Sequence, residues 1–229
     1  MTDIFGQALK GYLNGDLPKH VIQGKDGYLD VLNTEIYFSD YSDWKDHEKA
    51  ILRYVQGRVL DIGGGAGRHS LFFQKRGHEV HAIDISPSAI ALMKIRGVKN
   101  VRLMDLRAVD FPEGHFDSVL IMAGDLGLAG SIKDSKKLLR NLFKITSPQG
   151  RIIATIKNPY DGKQSAEMAK VKARIAYKGG TGDWFSILMI SPQRLKTLAR
   201  GTGWVVSQIV EGDNGFYGAL LEKRSKGIM

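Results

Sequence analysis

Apolar positions along this chain follow two different rhythms. Between Arg58 and Lys157, short apolar runs alternate with amphipathic stretches. "RVLDI", "EVHAIDI", "VRLMDL", "FDSVLIMAG" and "GRIIATIK" read as strands, and they lack in/out alternation, as parallel strands buried on both faces do. Between them, "HSLFFQKR" reads as a helix closed by Gly77. Ser86–Pro87 supplies an N-cap with proline at the first helical position, and Gly97 closes that helix. "SIKDSKKLLRNLFKIT" reads as another helix, followed by a turn at "SPQG". Further on, "FSILMI" reads as a strand and Ser191–Pro192 opens a helix that ends near Gly201 or Gly203. "VVSQIV", the turn "EGDNG" and "FYGALLEK" form a terminal β-hairpin. This alternation predicts an α/β fold: a doubly wound sheet, mostly parallel, with a C-terminal antiparallel hairpin and helices on both faces.

Two stretches break the rhythm. Ile4, Phe5, Ala8, Leu9, Tyr12 and Leu13 make one face of a helix over residues 3–14. Residues 15–41 are rich in Gly, Asp and Tyr and read as loop; a second helix starts after Ser42, with Trp44, Ile51, Leu52 and Val55 inward. Residues 1–44 are therefore expected to form a helical cover. Residues 158–183 are polar and basic. Their Lys163, Lys170, Lys172 and Arg174, set among Ala166, Met168, Val171 and Ala173, read as an amphipathic helix in an insertion on the substrate side. With no repeats and no second independent core, residues 1–229 are expected to form one domain.

Composition narrows the chemistry. Among 229 residues there is no cysteine, which excludes disulfides, thiolate nucleophiles and Cys-based zinc sites. No metal is expected. No apolar run approaches the roughly 18 residues of a membrane span, and the start of the sequence lacks a leader pattern; the expectation is a cytoplasmic protein without a membrane partner. The net charge of +9 sits between Lys133 and Lys178, where twelve Lys or Arg face three Asp or Glu. That segment is either a solvated face or a surface for an anionic partner such as nucleic acid.

The main chemical signal is "VLDIGGGAG", Val59 to Gly67. A strand feeding a glycine turn and then a helix forms a ligand site at the carboxyl end of a parallel sheet. Glycines let backbone N–H groups approach the ligand, and the next helix N-terminus adds a positive dipole. The sixth position from Gly63 is Arg68, so the dinucleotide pattern fails, and no Gly-Lys-Ser/Thr follows. An acid, Asp61, leads into G-x-G-x-G. It would repel a pyrophosphate but suits a ligand with an adenosine half and a cationic half.

Here the sequence resembles the class I (Rossmann-like) S-adenosylmethionine-dependent methyltransferases, of the small bacterial and archaeal type. "VLDIGGGAGRHS" is similar to that family's first motif. The resemblance implies that Gly63, Gly65 and Gly67 pass under the cofactor, with Asp61 near its methionine end. "VHAIDIS" implies that Asp84 accepts hydrogen bonds from the ribose hydroxyls and that Ile85 packs on the adenine. "VRLMDLRAVDFP" implies that Asp105 contacts the adenine amino group, with Leu106 beside it. The end of "FDSVLIMAGDLG", including Ala123, would face the methionine part.

In-line methyl transfer needs alignment and exclusion of water more than it needs a catalytic side chain. Asp125, after the fourth strand of the series, and His69, opening the helix after the glycine loop, are the candidates for a catalytic role; each is equally readable as a structural residue. Tyr37, Phe38, Tyr41 and Trp44 precede the first motif, and Tyr160, Tyr177, Trp184 and Phe185 flank the insertion. Of these, Tyr37, Tyr41, Trp44, Tyr177 and Trp184 are the candidates to line a substrate pocket. No Asn/Asp-Pro-Pro-Tyr/Phe follows the fourth strand, there is no cysteine for cytosine-C5 chemistry, and no Glu lies between Glu113 and Glu167. The expected function is methylation of a small molecule. The alternatives are an RNA methyltransferase using residues 133–178, or a non-catalytic S-adenosylmethionine-binding protein.

Overall fold

The computed structural model of the chain describes residues 2–16, 19–159 and 167–224; Tyr160, Lys163 and Ala166, named above, lie outside them. In chain order, helix α1 (Ile4–Leu13) precedes strands β1 (Lys19–Gly24) and β2 (Leu29–Asn33). Helix α2 (Asp46–Leu52) leads into β3 (Val59–Ile62), α3 (Arg68–Gln74), β4 (Val80–Asp84), α4 (Pro87–Ile95), β5 (Asn100–Leu103) and β6 (Phe116–Ile121). Then come α5 (Ile132–Ile145), β7 (Thr146–Lys157), β8 (Met168–Tyr177), the short β9 (Gly180–Thr181), β10 (Phe185–Ile190), α6 (Pro192–Ala199), β11 (Trp204–Glu211) and β12 (Phe216–Lys223).

The expected doubly wound sheet is present. Its seven strands run in the order β11-β12-β7-β6-β3-β4-β5. Strands β7, β6, β3, β4 and β5 are parallel, and β12 and β11 form the antiparallel hairpin. Alternate residues of the central strands feed two cores. Leu60 and Ile62, Val119 and Ile121, and Ile152, Ala154 and Ile156 pack under α5 and α6 through Leu138, Leu139, Leu142, Leu195 and Leu198. Val59, Leu120, Ile153 and Leu220 pack on the other face against Ile51, Leu52 and Phe73 from α2 and α3. Both faces are thus buried, which explains the absence of polar alternation in these strands. The expected turn at "SPQG" falls inside β7, where the pairing with β6 shifts register between Phe116 and Ser118.

Outside this sheet the sequence reading is corrected. Residues 15–41 are not loop: they contain β1 and β2, and a short 3-10 turn at Thr34–Tyr37. Nor do Lys170, Lys172 and Arg174 lie on an amphipathic helix, because Met168–Tyr177 is strand β8. Buried Val171 and Ala173 alternate with exposed Lys170 and Lys172, which is strand periodicity. These strands make a second, antiparallel sheet in the order β10-β8-β1-β2, with β9 paired to β8.

The second sheet and α1 sit over the carboxyl ends of the parallel strands. The turn after β6 packs so closely on β10 that a Cβ at Gly127 would lie 2.2 Å from the Leu188 carbonyl oxygen. At the other side, Asp3 caps α1 by accepting from Gly6 N (2.9 Å), and it also accepts from Ser86 Oγ (2.8 Å) and Ser88 N (3.0 Å) at the start of α4. No helix among the described residues is long and apolar enough to cross a membrane.

Candidate functional site

The chain leaves β3 for one side of the sheet and returns through β6 on the other, so a crevice opens where the two strands end. The glycine loop lies there. Gly63, Gly65 and Gly67 have φ of +74°, +55° and +81°, a region in which side chains are strained. Space is limited too: a Cβ at Gly63 would lie 2.0 Å from Asp125 Oδ2, and one at Gly65 would lie 3.5 Å from Tyr37. The loop is a bare backbone surface roofed by Asp125 and Tyr37.

Three carboxyl groups converge on it. Asp61, at 1% exposure, accepts from Ser70 Oγ (2.6 Å) in α3. Asp84 ends β4; its Oδ2 accepts from Gly65 N (2.9 Å) and its Oδ1 from Ser86 N (2.8 Å). Burial, with Asp3 and Asp61 near, pushes Asp84 above the usual carboxyl range despite those two hydrogen bonds. Asp125 follows two left-handed residues, Ala123 (φ +53°) and Gly124 (φ +86°), anchored by bonds from Ala123 N to Thr155 Oγ1 (2.7 Å) and from Gly124 N to Thr155 O (2.8 Å). A positive φ at a residue with a Cβ stores strain, and here it turns Asp125 back over Gly63. Asp125 itself is half-buried. Burial first, then Asp84 and Asp61, push its carboxyl well above the usual range.

The roof is aromatic. Phe5 of α1 meets Tyr37 edge to face at 5.1 Å. The Tyr37 hydroxyl lies 3.4 Å from His20 Nε2, and His20 Nδ1 lies 3.1 Å from Thr34 Oγ1. His20 is 1% exposed, and burial pushes it down to about 4 against the pull of Asp30, so the ring is neutral at neutral pH. Burial, with the Asp125 charge near, raises the Tyr37 phenol. Beside these, Tyr28 OH donates to Asp30 Oδ2 (3.0 Å), and Lys157 Nζ lies 3.9 Å from the same oxygen.

Among the residues expected from the sequence, Asp61, the three glycines, Asp84, Asp125 and Tyr37 come together. Ile85 (53% exposed) and Leu103 (55% exposed) lie at the ends of β4 and β5, leaving an apolar surface beside Asp84. Asp105 caps the turn that begins at Leu106 and is paired with Arg107, whose Nε lies 3.0 Å from both of its carboxylate oxygens. His69 is drawn elsewhere: its Nε2 lies 2.5 Å from Glu48 Oε1, which also pairs with Arg68 (2.8 Å). Trp44 packs on His69 and Phe72, and Tyr41 stacks on Phe72. Tyr177 is buried with Ile4 and Ala8, and Trp184 lies under Lys25 and Arg174. Phe5 and His20 were not among the sequence candidates; neither belongs to a motif, and only the folding of α1 and β1 over the loop brings them there.

A family model described as a methyltransferase domain matches residues 59–150. A ubiquinone/menaquinone biosynthesis C-methyltransferase from Edwardsiella ictaluri is 31% identical over 146 residues, covering 58% of this chain and 55% of the relative. A demethylmenaquinone methyltransferase from Thermus thermophilus is 31% identical over 133 residues, covering 54% and 58%. The chain thus spans little more than half the length of the curated relatives it matches. An S-adenosylmethionine-dependent methyltransferase from Bacteroides fragilis, solved in complex with S-adenosylhomocysteine, is 28% identical with a TM-score of 0.83, covering 96% of this chain and 94% of that one. The match therefore extends over the second sheet as well as the first, and the chain is similar throughout its fold to the class I, Rossmann-like S-adenosylmethionine-dependent methyltransferases.

Proposed function

We propose that the protein is an enzyme that binds S-adenosylmethionine over the glycine loop and transfers its methyl group to a small molecule. The observation that carries this reading is the bare loop at Gly63–Gly67 ringed by Asp61, Asp84 and Asp125. A site with three carboxyls, none of them in an ion pair among the described residues, favours a ligand with cationic character. The cofactor fits the residues present. Each Asp84 oxygen accepts one backbone N–H and retains a lone pair for a ribose hydroxyl. Ile85 and Leu106 would flank the adenine, and Asp61 and Ala123 would lie toward the methionine end. Asp105 reaches the adenine amino group only if it shares its carboxylate with Arg107.

When bound, S-adenosylmethionine supplies a methyl group on a sulfonium sulfur. The chain's own residues do the rest. The roof of Phe5, Tyr37 and the second sheet excludes water from the crevice. Asp125, which accepts no hydrogen bond among the described residues, takes up the proton that an O–H or N–H acceptor gives off. Its raised carboxyl brings it closer to the operating pH of such a base. Tyr37, held by His20, bounds the acceptor side. The close roof of Tyr37 and Asp125 over the glycine loop and the relatives named for quinone methylation support a small-molecule acceptor.

Calorimetry with S-adenosylhomocysteine tests the reading: one binding event per chain, competed by S-adenosylmethionine, is expected. Absence of heat and of competition for both would refute it.

A further inference from the structure

At the amino-terminal edge of the parallel strands, away from the glycine loop, Glu79, His81 and His115 converge. One donor atom from each lies within 4.8 Å of the others. We propose that these three side chains form a divalent transition-metal site, binding Zn²⁺ or a similar borderline ion through two imidazoles and one carboxylate, with a fourth position open to water. This does not depend on the methyltransferase reading, and it revises the expectation of no metal.

The backbone sets the spacing. Glu79 and His81 are two residues apart at the start of β4, so their side chains leave the same face. Glu79 Oε1 already lies 2.8 Å from His81 Nε2. His115 immediately precedes β6, two strands away, and its ring centroid is 5.5 Å from that of His81. Phe111 and Phe116 form a floor beneath both imidazoles: His81 meets Phe116 at 5.5 Å and Phe111 at 6.1 Å, and His115 meets them at 4.7 and 6.3 Å. The rings therefore stand with restricted freedom on an apolar base.

Zinc–nitrogen and zinc–oxygen bonds of about 2.0–2.2 Å place tetrahedral donors roughly 3.5 Å apart. Small side-chain rotations close the present spacing to that value without moving a strand. Two imidazoles select Zn²⁺, Ni²⁺, Co²⁺ or Cu²⁺ over Mg²⁺ and Ca²⁺, which take oxygen ligands.

One neighbour opposes the ion. Arg58 Nη1 lies 3.3 Å from His115 Nδ1, so its guanidinium competes for that nitrogen and repels a cation. Arg58 has no part in the proposed coordination, so removing it should strengthen the site. A bound ion would join the start of β4 to the start of β6 across β3. Because those strands are apart in the unfolded chain, it would stabilise the native state.

The test uses untagged protein titrated with Co²⁺, followed by visible absorption, with Zn²⁺ as competitor and circular dichroism as a check on folding. One Co²⁺ per chain is expected, displaced by Zn²⁺. His81→Ala and His115→Ala should each weaken binding by roughly tenfold or more, with Glu79→Gln also weaker, while Arg58→Gln binds several-fold tighter. Zn²⁺ should raise the Tm of the native sequence but not that of His81→Ala. No absorption band and no Tm shift at about 0.5 mM metal would overturn the proposal. So would binding that survives both histidine variants in folded protein, or an Arg58→Gln variant that binds no tighter.

Discussion

Strands β4 and β6 carry titratable groups at both of their ends, and the two ends are built in opposite ways. At the carboxyl ends, Asp84 is buried and Asp125 is half-buried; both are pushed upward by burial first, Asp84 then by Asp3 and Asp61 and Asp125 by Asp84 and Asp61, and Asp84 is fixed by backbone N–H groups. At the amino ends, Glu79 is exposed and is held below the usual carboxyl range first by its hydrogen bond to His81. One end concentrates like charges where only a ligand can relieve them. The other distributes unlike groups in reach of water. Parallel strands make this asymmetry natural, because the connecting loops deliver glycine turns and helix N-termini to the carboxyl ends only.

Breaking the buried end should have the largest effect. Asp84→Ala should weaken S-adenosylhomocysteine binding by up to about 100-fold, the roughly 1–3 kcal/mol of an unsatisfied buried partner. Calorimetry should show this while Co²⁺ binding at the other end is unchanged. An equal loss at both ends would mean that the substitution unfolds the sheet rather than emptying one site.

Next in size is the latch that ties α1 to the β4–α4 turn. Asp3→Ala removes a cap and two further hydrogen bonds, and a cap alone is worth about 1 kcal/mol. The variant should be cut by protease in residues 2–44 earlier than the native sequence. Burial raises the Asp3 carboxyl, but bonds from Ser86, Ser88 and Gly6 outweigh it, and the net shift is downward. A lowered carboxyl contributes stability that is present above its unfolded value, about 3.9, and is lost as pH falls through its folded value. Protease protection of α1 should therefore weaken in acid, and this pH dependence should be absent in the alanine variant.

A smaller effect, of opposite sign, is expected at Asp125. A raised carboxyl penalises the folded state once the unfolded chain ionises, so the penalty grows as pH rises from the ordinary carboxyl range. Asp125→Asn should raise the Tm of the ligand-free protein at pH 7 by roughly 2–4 °C, the shift that about 1 kcal/mol produces in a chain of this size. Calorimetric scans should show the gain vanish below about pH 4. Cofactor affinity should change far less than in Asp84→Ala, whereas methyl transfer should fall. The smallest effect belongs to the open end: without metal, Glu79→Gln should alter stability by under about 0.5 kcal/mol, as exposed pairs do, measured by urea denaturation.

The same contrast explains what could be read from the sequence. The parallel strands were legible because burial on both faces forces uninterrupted apolar runs, and glycines and capping residues bound them. Asp61, Asp84 and Asp125 were legible because each closes such a run. Strands β1 and β2 were not, because "KHVIQG" and "LDVLN" have a wetted face and mixed polarity. Strand β8 was misread as a helix because Lys170, Lys172 and Arg174 alternate with Val171 and Ala173 over too few residues for period 2 to stand out from period 3.6. The aromatic candidates divided for the same reason. Nothing in the sequence distinguishes Tyr37, which reaches the loop, from Trp44, which packs beneath α2. His20 stands alone, and only the pairing of β1 places it.

That pairing bears on how the protein assembles. Gln23 of β1 meets Arg174 of β8 across 151 residues of chain, whereas the parallel pairings join strands adjacent in sequence, apart from β3 with β6, whose span from Val59 to Ser118 is far shorter. Contacts that close so long a loop form late, since their entropic cost precedes any gain. The cofactor cradle is thus expected to take shape first and the roof last. A newly made chain would then carry an open glycine loop until its C-terminal half has emerged and β8 has folded back on the first strand. Folding followed by pulsed hydrogen exchange would place protection of Leu60 and Val119 ahead of Val21 and Ala176.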